Sequence, residues 1–306
     1  MTIRAVSEVV QRFHMSNEFD FIDWVRAQQR PGPHVILPAS DDLAILKFDP
    51  SDLILVGIDQ VLDGVHFDSA QHAPELIGRK VMNRNLSDCA AMACLPAAAV
   101  VSVALVKGTP VEFAKALYLG MKAAGEAFDC PIVGGDTGSW GQKLAVSVSI
   151  LGRSAGVTPV RRSGAQPGDA IYVTGPLGGS ILGRHLAFIP RVHEARQLVS
   201  NHRISAMIDI SDGLSRDVAH IARESGVGVV LDAALVPIHD HARQLPGDPL
   251  DHALHDGEDH ELCFTGEPGI VDAIRIGTVI AEKGVWLERS GKRESLAAKG
   301  FEHQIG

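Results

Sequence analysis

Short apolar runs alternate with helix-length amphipathic segments along the chain, and this alternation restricts the fold more than any other feature. In the first half, apolar runs at 53–58 and 97–106 flank a helical pattern at 75–93. In the second half, the apolar run 206–210 precedes a helical pattern at 214–224. Because strands and helices are mixed within each half, the sequence predicts an α/β or α+β fold.

The length of the chain indicates two domains. Its 306 residues exceed the usual size of one compact core. Hydrophobic residues make up 45% of the chain, so each half has enough apolar material to bury. A second series of strand and helix patterns begins near Arg153. We therefore predict an N-terminal domain at 1–152 and a C-terminal domain at 153–306.

Charge and cysteine content exclude several classes of protein. The net charge of −9, without a basic block, disfavours nucleic acid as a partner. No apolar run reaches the about 18 residues needed to cross a bilayer, and no signal-peptide pattern opens the chain. Cys89, Cys94, Cys130 and Cys263 lie among apolar neighbours without zinc-type spacing. We expect buried free thiols in a cytoplasmic protein that binds no membrane.

Dispersed aspartates are the main chemical feature, each at the end of an apolar run or near a helix start, beside Gly or Ser. They are Asp41-Asp42, Asp59, Asp88, Asp136, Asp209 and Asp212. Each alone has a structural explanation, because Asp caps helices and favours turns. Together they indicate more, since strand ends converge on one crevice in α/β folds. Such carboxylates would hold Mg²⁺ and let an acidic protein bind a triphosphate.

Two local sequence features are weaker evidence of function when each is taken alone. Gly134-Gly-Asp136 would allow the backbone to approach a phosphate closely, but it matches neither the Walker nor the dinucleotide-binding pattern. His66, in Asp63-Gly-Val-His-Phe67, follows the candidate ligand Asp59. It is therefore the histidine most favoured for a functional role. The sequence contains no Ser-His-Asp hydrolase pattern.

Taken in order, the motifs resemble those of the thiamine-monophosphate kinase family over most of the chain. The matching segments are Ser40-Asp-Asp42, Asp59 with Asp63-Gly-Val-His-Phe67, Lys80 with Asn85-Leu-Ser-Asp-Cys-Ala-Ala-Met92 and Pro96, Gly134-Gly-Asp-Thr137, Arg162-Ser-Gly-Ala-Gln-Pro-Gly-Asp169 with Tyr172-Val-Thr-Gly175, Asp209-Ile-Ser-Asp-Gly-Leu214, Gly257-Glu-Asp-His-Glu-Leu-Cys-Phe264, and Lys299-Gly-Phe-Glu-His303. Several of these are specific in combination. The wider superfamily includes aminoimidazole ribonucleotide synthetase, selenophosphate synthetase and a hydrogenase maturation factor.

The resemblance implies a two-domain aminoimidazole ribonucleotide synthetase-like fold of the α/β (α+β) class. Its N-terminal sheet domain would bind ATP and Mg²⁺ and form a homodimer. It also implies a kinase that transfers the γ-phosphoryl group of ATP to thiamine monophosphate, giving thiamine diphosphate. The cofactors implied are several Mg²⁺ ions, with ATP as co-substrate. Such a reaction depends on positioning and charge neutralisation more than on a covalent catalyst.

Carried over residue by residue, the resemblance also implies the site. The Mg²⁺ ligands would be Asp42, Asp59, Asp88, Asp136, Asp209 and Asp212. The ATP contacts would be Gly135, Asp136, Arg162 and Ser211, and the catalytic residues would be Asp212 and Arg162. The thiamine-phosphate site would be lined by His66, Glu258 and Phe301.

The chain departs from the family pattern at three places. Family members usually have Gly-Asp-Asp where this chain has Ser40-Asp41-Asp42, a second Thr at Gly138, and two hydroxyl residues at Gly57 and Ile58. Loss of oxygens at Gly57 and Ile58 predicts that at least one metal position is weakened or lost. Two alternatives stay open: a related kinase or synthetase acting on another small substrate, and a nucleotide-binding homologue without turnover.

Overall fold

The computed structural model describes residues 18–30, 32–38 and 43–301. The α-helices in this part of the chain are α1 (Glu18–Gln28), α2 (Pro74–Ala91), α3 (Val111–Glu126), α4 (Arg184–Ala187), α5 (Val192–Asn201), α6 (Leu214–Ser225) and α7 (Pro249–His255). The β-strands are β1 (Val35–Leu37), β2 (Ile45–Leu46), β3 (Ile54–Leu62), β4 (Leu95–Val106), β5 (Ile132–Trp140), β6 (Ala145–Arg153), β7 (Ala170–Val173), β8 (Ile204–Asp209), β9 (Gly228–Asp232), β10 (Leu262–Gly266), β11 (Ile274–Ile280), β12 (Gly284–Arg289) and β13 (Lys292–Ser295).

The first large sheet has four strands in the order β3-β6-β4-β5, antiparallel except for the parallel pair β4-β5. Along β6, alternate residues are buried, among them Val146, Val148 and Ile150, because successive side chains point to opposite faces. α2 and α3 pack on this buried face. The opposite face carries exposed apolar residues, including Val56 and Ile58.

α2 and α3 pack closely because each has a glycine where they meet. A Cβ on Gly78 would collide with the backbone of Leu117, and one on Gly120 would collide with the backbone of Glu75. α2 begins at Pro74, whose fixed φ suits the first helical position. This packing fixes the position of α2 on the sheet.

The second large sheet has seven strands in the order β13-β12-β9-β11-β7-β10-β8. β9 and β12 are parallel, and the other neighbours are antiparallel. α6 packs on this sheet through Leu214, Val218, Ile221 and Ala222, which recur at helical spacing. α6 is followed by Gly226, which adopts a left-handed conformation with φ 71° and caps the helix.

α2 contacts both sheets. Val81 and Leu86 belong to the core formed with the four-stranded sheet. Ala90, in the last turn of α2, packs with Tyr172 and Phe264 of the seven-stranded sheet. A side chain that projects from α2 between these two contact regions can therefore reach residues of both sheets.

The structure confirms the α/β class and most of the predicted elements. The patterns at 75–93, 97–106, 206–210 and 214–224 correspond to α2, β4, β8 and α6, with bounds that agree within two residues. All four cysteines are buried and free, as predicted. Among helices of the described residues, none is long and apolar enough to cross a membrane. The domain boundary at 152/153 and the cytoplasmic location stay predictions.

Two aspartates lie inside strands and not at strand ends, so the sequence-based placement was wrong for them. Asp59 lies within β3, whose ladder with β6 continues to Leu62. Asp136 lies within β5, whose ladder with β4 continues to Trp140. The residues that follow each aspartate have low strand propensity or mixed polarity, and pairing with the neighbouring strand overrides that local preference.

Candidate active site

One face of α2 carries three charged residues, Lys80, Arg84 and Asp88. They are spaced four residues apart, so they lie on the same side of the helix. The Lys80 side chain is completely buried, and that of Arg84 is 15% exposed. Buried cations of this kind are stable only with charged or hydrogen-bonding partners. The face therefore marks a polar centre between the two sheets.

Glu258 joins the two cations of α2. It accepts hydrogen bonds from Lys80 Nζ at 2.6 Å and from Arg84 Nη1 at 3.1 Å. Arg84 also donates through Nε to Asp59 Oδ2 at 2.8 Å. Burial opposes ionisation of Glu258, but the Lys80 ammonium lowers the pKa of this carboxyl group overall. Asp59 of β3 and Glu258, which precedes β10, are thus linked through one helix.

Asp209, the last residue of β8, lies beside α2. Its Oδ2 accepts a hydrogen bond from Ser87 Oγ at 2.7 Å and lies 3.3 Å from His260 Nδ1. Burial opposes ionisation, but His260 and Ser87 lower the pKa of Asp209. The ring of Phe188 stacks on His260 with centroids 4.0 Å apart, which fixes the imidazole. Asp209 is therefore held as a carboxylate inside the protein.

Asp88 lies in a region of surplus negative charge. Burial, followed by the charges of Asp209 and Asp59, raises the pKa of Asp88 to about 8. The charges of Arg84 and Arg162 offset only part of this effect. An additional cation at this place would relieve the repulsion between the carboxylates.

The backbone beside Asp212 holds Glu258 in place. Glu258 N–H donates to the Ser211 carbonyl and His260 N–H donates to the Ile210 carbonyl, both at 2.8 Å. Glu258 and His260 have φ of 52° and 51°, a left-handed conformation that is uncommon for residues with a Cβ. These backbone hydrogen bonds offset the cost of the left-handed conformation. In this conformation the Glu258 carboxylate contacts Lys80 and Arg84.

Asp212 is also part of a second acidic group, with Asp217 and His220 of α6. One ligand atom from each of these three residues lies within 4.8 Å of the others. Asp217 Oδ2 accepts hydrogen bonds from the N–H groups of Asp212 and Gly213 at 3.1 Å. Burial, then the charges of Asp209 and Asp212, raises the pKa of Asp217 to about 8. Asp217 thus fixes the turn that presents Asp212.

A cavity of about 570 Å³ opens beside Asp88. Its wall includes Gly57 of β3, Met92 after α2, and Arg162 from the segment that connects β6 to β7. The size is that of a pocket for a small ligand. Arg162, predicted to contact ATP, therefore lies with Asp88 at the same cavity.

The three residues assigned to thiamine phosphate form one group. Lys80 Nζ donates to the His66 carbonyl at 2.5 Å as well as to Glu258. The rings of His66 and Phe301 have centroids 5.9 Å apart. Phe301 N–H donates to the Asp212 carbonyl at 3.2 Å. The substrate group thus adjoins the aspartates.

Three predicted site residues are not placed in this centre. β5, which carries Gly135 and Asp136, is separated from β3 by two strands of the sheet. Asp136 is exposed and lines a different cavity, of about 280 Å³, beside α1. Asp42 lies outside the described residues. The roles of these residues stay predictions.

The two positions at which the family hydroxyls are absent, 57 and 58, face opposite sides of the four-stranded sheet. The Ile58 side chain is 68% exposed on the open face of the four-stranded sheet, because side chains alternate along β3. A Cβ on Gly57 would instead lie 4.0 Å from Asp88 Oδ2. Both positions nonetheless line the cavity beside Asp88, so the expectation that loss of these two hydroxyls weakens a metal position stays a prediction.

Sequence reasoning gave no role to Arg84 or Asp217, and it quoted Lys80 without one. The spacing of four residues between Lys80, Arg84 and Asp88 was a usable signal, because it places all three on one helical face. The partner of Lys80 and Arg84 is Glu258, at a sequence separation of 178 and 174 residues. Only the fold reveals that pairing.

The donor set fits a hard divalent cation such as Mg²⁺. Asp88, Asp209 and Asp212 offer carboxylate oxygens from a helix and from the end of a strand, and these are the ligands that Mg²⁺ prefers. Burial first, and then the negative charges of Asp209 and Asp59, raise the pKa of Asp88, so negative charge is in excess there. A divalent ion bound between the carboxylates would offset this negative charge.

Binding of divalent ions is expected to depend on pH through Asp88. A carboxyl group whose pKa is raised to about 8 must release a proton before both of its oxygens can bind a cation. Affinity should therefore rise as the pH increases towards 8 and level off above it. Titration calorimetry of Mn²⁺ near neutral pH, in buffers of different ionisation enthalpy, measures the proton released. The Asp88→Asn variant should release fewer protons, and equal release by both proteins would contradict the assignment.

Two family models match the chain. One, described as "AIR synthase related protein, N-terminal domain", matches residues 40–154, and the other, "AIR synthase related protein, C-terminal domain", matches residues 166–271. The chain thus belongs to the AIR synthase-related class of proteins.

Comparison with individual relatives identifies the family within this class. A thiamine-monophosphate kinase from Rhodopirellula baltica is 36% identical over 308 residues, covering 94% of this chain and 97% of the relative. The crystal structure of thiamine-monophosphate kinase from Stenotrophomonas maltophilia K279a matches with TM-score 0.76 and 30% identity, covering 88% and 95% of the two chains. A structure of AaThiL complexed with AMPPCP and TMP matches with TM-score 0.76 and 27% identity, covering 95% and 100%. The chain belongs to the thiamine-monophosphate kinase family.

Proposed function

We propose that this chain transfers the γ-phosphoryl group of ATP to thiamine monophosphate, forming thiamine diphosphate and ADP. The observation that carries the proposal is the single centre in which Asp59, Asp88 and Asp209 meet Glu258 and the cations of α2. This centre occurs in a chain that is 36% identical, over 94% of its length, to a thiamine-monophosphate kinase.

Asp88 and Arg162, which line the cavity, suit the nucleotide. Asp88, Asp209 and Asp212 are the Mg²⁺ ligands in this proposal, and Mg²⁺ held there would neutralise charge on the ATP phosphates. Arg162, at the cavity wall, binds phosphate oxygens through its planar guanidinium, which matches their geometry. Ser211 is a further ATP contact in this proposal, and its carbonyl accepts a hydrogen bond from Glu258 N–H.

The other side of the centre suits thiamine monophosphate. His66 and Phe301 offer ring surfaces on which the aromatic rings of thiamine can stack. Glu258 supplies a carboxylate near these rings, and the positive charge of a thiazolium is stabilised by a carboxylate and by aromatic faces. Lys80 and Arg84 hold Glu258 in position. The acceptor phosphate would then lie beside Asp212.

A product assay tests the proposal. Purified protein is incubated with ATP, MgCl₂ and thiamine monophosphate, and thiamine diphosphate is measured by chromatography with ADP measured in parallel. We expect equal amounts of both products, and ADP formation should require thiamine monophosphate. ATP consumption with a different acceptor only, or no thiamine diphosphate at saturating substrates, would exclude the proposed reaction.

We also infer a homodimer formed through the four-stranded sheet. Ile54, Val56, Ile58 and Val100 are 42%, 75%, 68% and 39% exposed on the face opposite α2 and α3. The register of the sheet aligns Ile58 with Ser149 and Ser149 with Val100, so Ile58 and Val100 lie in one row on this face with Ser149 between them. A largely apolar exposed face of this kind suits a two-fold interface, in which the same patch of each copy meets.

A charge on this face should break the dimer. Val56→Glu would bury an unpaired carboxylate in the interface twice, once for each copy, which is strongly unfavourable. We expect a monomer in size-exclusion chromatography with light scattering, where the wild type is a dimer. Val271→Glu is the matched control, because Val271 is 86% exposed outside this sheet. A dimeric Val56→Glu variant, or a monomeric wild type, would contradict the inference.

A further inference from the structure

Arg84 bridges the two sheets as a cation inside the acidic centre. Its Nε donates to Asp59 of the four-stranded sheet at 2.8 Å, and its Nη1 donates to Glu258 beside the seven-stranded sheet at 3.1 Å. Only 15% of its side chain is exposed. A guanidinium with these two carboxylate partners makes the kind of link between distant oxygens that a bound metal ion makes.

The charge of Arg84 acts beyond these two contacts. It lowers the pKa of Asp88, of Asp209 and of Asp212, in each case against the larger opposing effect of burial. The positive charge of Arg84 therefore acts on all three proposed metal ligands, as the charge of a bound divalent ion would.

Strand β3 contributes few oxygen ligands to the acidic centre. Asp59 is the carboxylate that β3 places in this region. One oxygen of Asp59 already accepts a hydrogen bond from Arg84. Gly57, which faces Asp88, provides no side-chain oxygen. A divalent ion that used Asp59 would share this carboxylate with the guanidinium and would lie beside its positive charge, whereas ions bound by Asp88, Asp209 and Asp212 would not share a ligand with Arg84.

From this geometry we propose that Arg84 is a resident cation that occupies the Asp59 side of the acidic centre and takes the place of a divalent ion there. The inference deepens the proposed function and rests on it for the meaning of the centre. In the intact kinase, Asp59 is a partner of Arg84, and the divalent ions bind at the Asp88–Asp209–Asp212 side.

The test is Mn²⁺ binding to the full-length protein without nucleotide, measured by electron paramagnetic resonance of free Mn²⁺. Arg84→Gln removes the charge and should tighten Mn²⁺ binding by about tenfold or more. Arg84→Lys keeps the charge and should stay within about threefold of the wild type. Arg243→Gln is the matched control, since the Arg243 side chain is 58% exposed and pairs with the exposed Asp240, and it should not change the affinity.

A second pair of variants covers the case in which Arg84→Gln fails to fold. Asp59→Asn should leave Mn²⁺ affinity within about threefold of the wild type, whereas Asp88→Asn should weaken it by about tenfold or more. Unchanged or weaker binding by folded Arg84→Gln overturns the inference, as does an Asp59→Asn loss equal to that of Asp88→Asn. Absence of Mn²⁺ binding in the wild type also overturns it. Thiamine diphosphate formation by the wild type is read separately, so failure of the proposed function is distinguishable.

Discussion

Replacing Asp88 with asparagine is expected to lower kcat/KM for thiamine diphosphate formation by roughly 10²- to 10³-fold. Asp88 lies at the cavity together with Arg162, and burial, followed by the charges of Asp209 and Asp59, raises its pKa. An amide has a similar shape but carries no charge, so it cannot supply an anionic ligand to a divalent ion. The variant should therefore fold normally and lose turnover.

Stability measurements separate this effect from misfolding. Without metal, burial and the neighbouring carboxylates disfavour ionisation of Asp88, so Asp88→Asn should unfold at the same temperature as the wild type or a higher one. Asp240→Asn is the matched control, because the Asp240 side chain is 93% exposed, and it should retain full activity. An Asp88→Asn protein with near wild-type kcat/KM would remove Asp88 from the site.

Replacing Lys80 with methionine is expected to destabilise the folded protein by about 3–5 kcal/mol. Burial lowers the pKa of Lys80, and the Glu258 carboxylate opposes this shift. Methionine fills similar space but removes the ammonium group from between Glu258 and the His66 carbonyl. It leaves the carboxylate with Arg84 as its remaining charged partner and the carbonyl without this donor. The loss is measured from urea unfolding curves.

Two control variants test whether the loss of stability in Lys80→Met comes from the buried ion pair. Lys115→Met removes a surface ion pair with Glu112, whose side chain is 78% exposed, and should cost under about 1 kcal/mol. The double variant Lys80→Met with Glu258→Gln should recover part of the stability, because the unpaired carboxylate is then absent. If Lys80→Met costs no more than Lys115→Met, the buried ion pair does not hold the centre together.

Regular elements were predictable where apolar periodicity was clear. The helix at 75–93 was found as α2 (Pro74–Ala91), and the strand at 97–106 as β4 (Leu95–Val106). Here local preference and tertiary packing agree, because the buried face repeats at the helical or strand period. β5 (Ile132–Trp140) was recognised only as far as Val133. Its glycines carry no strand preference, and its parallel ladder with β4 determines its length.

The acidic centre was predictable in part. Beyond the effect of burial, the charge of Asp209 raises the pKa of Asp88 and of Asp212, so Asp209 lies near both of them. The cations could not be foreseen from local sequence. Lys80 and Arg84 look like ordinary helix residues until the fold brings Glu258 to them. The balance of charge in the centre is therefore a property of tertiary structure.

Direct location of divalent ions in a complex tests the central claim most directly. Crystals of the chain grown with Mn²⁺ and a non-hydrolysable ATP analogue give anomalous difference peaks that report metal positions independently of activity. We expect peaks bounded by the carboxylates of Asp88, Asp209 and Asp212, with the analogue phosphates beside Arg162. Metal and nucleotide bound elsewhere, with these three carboxylates bare, would contradict a shared magnesium and nucleotide centre.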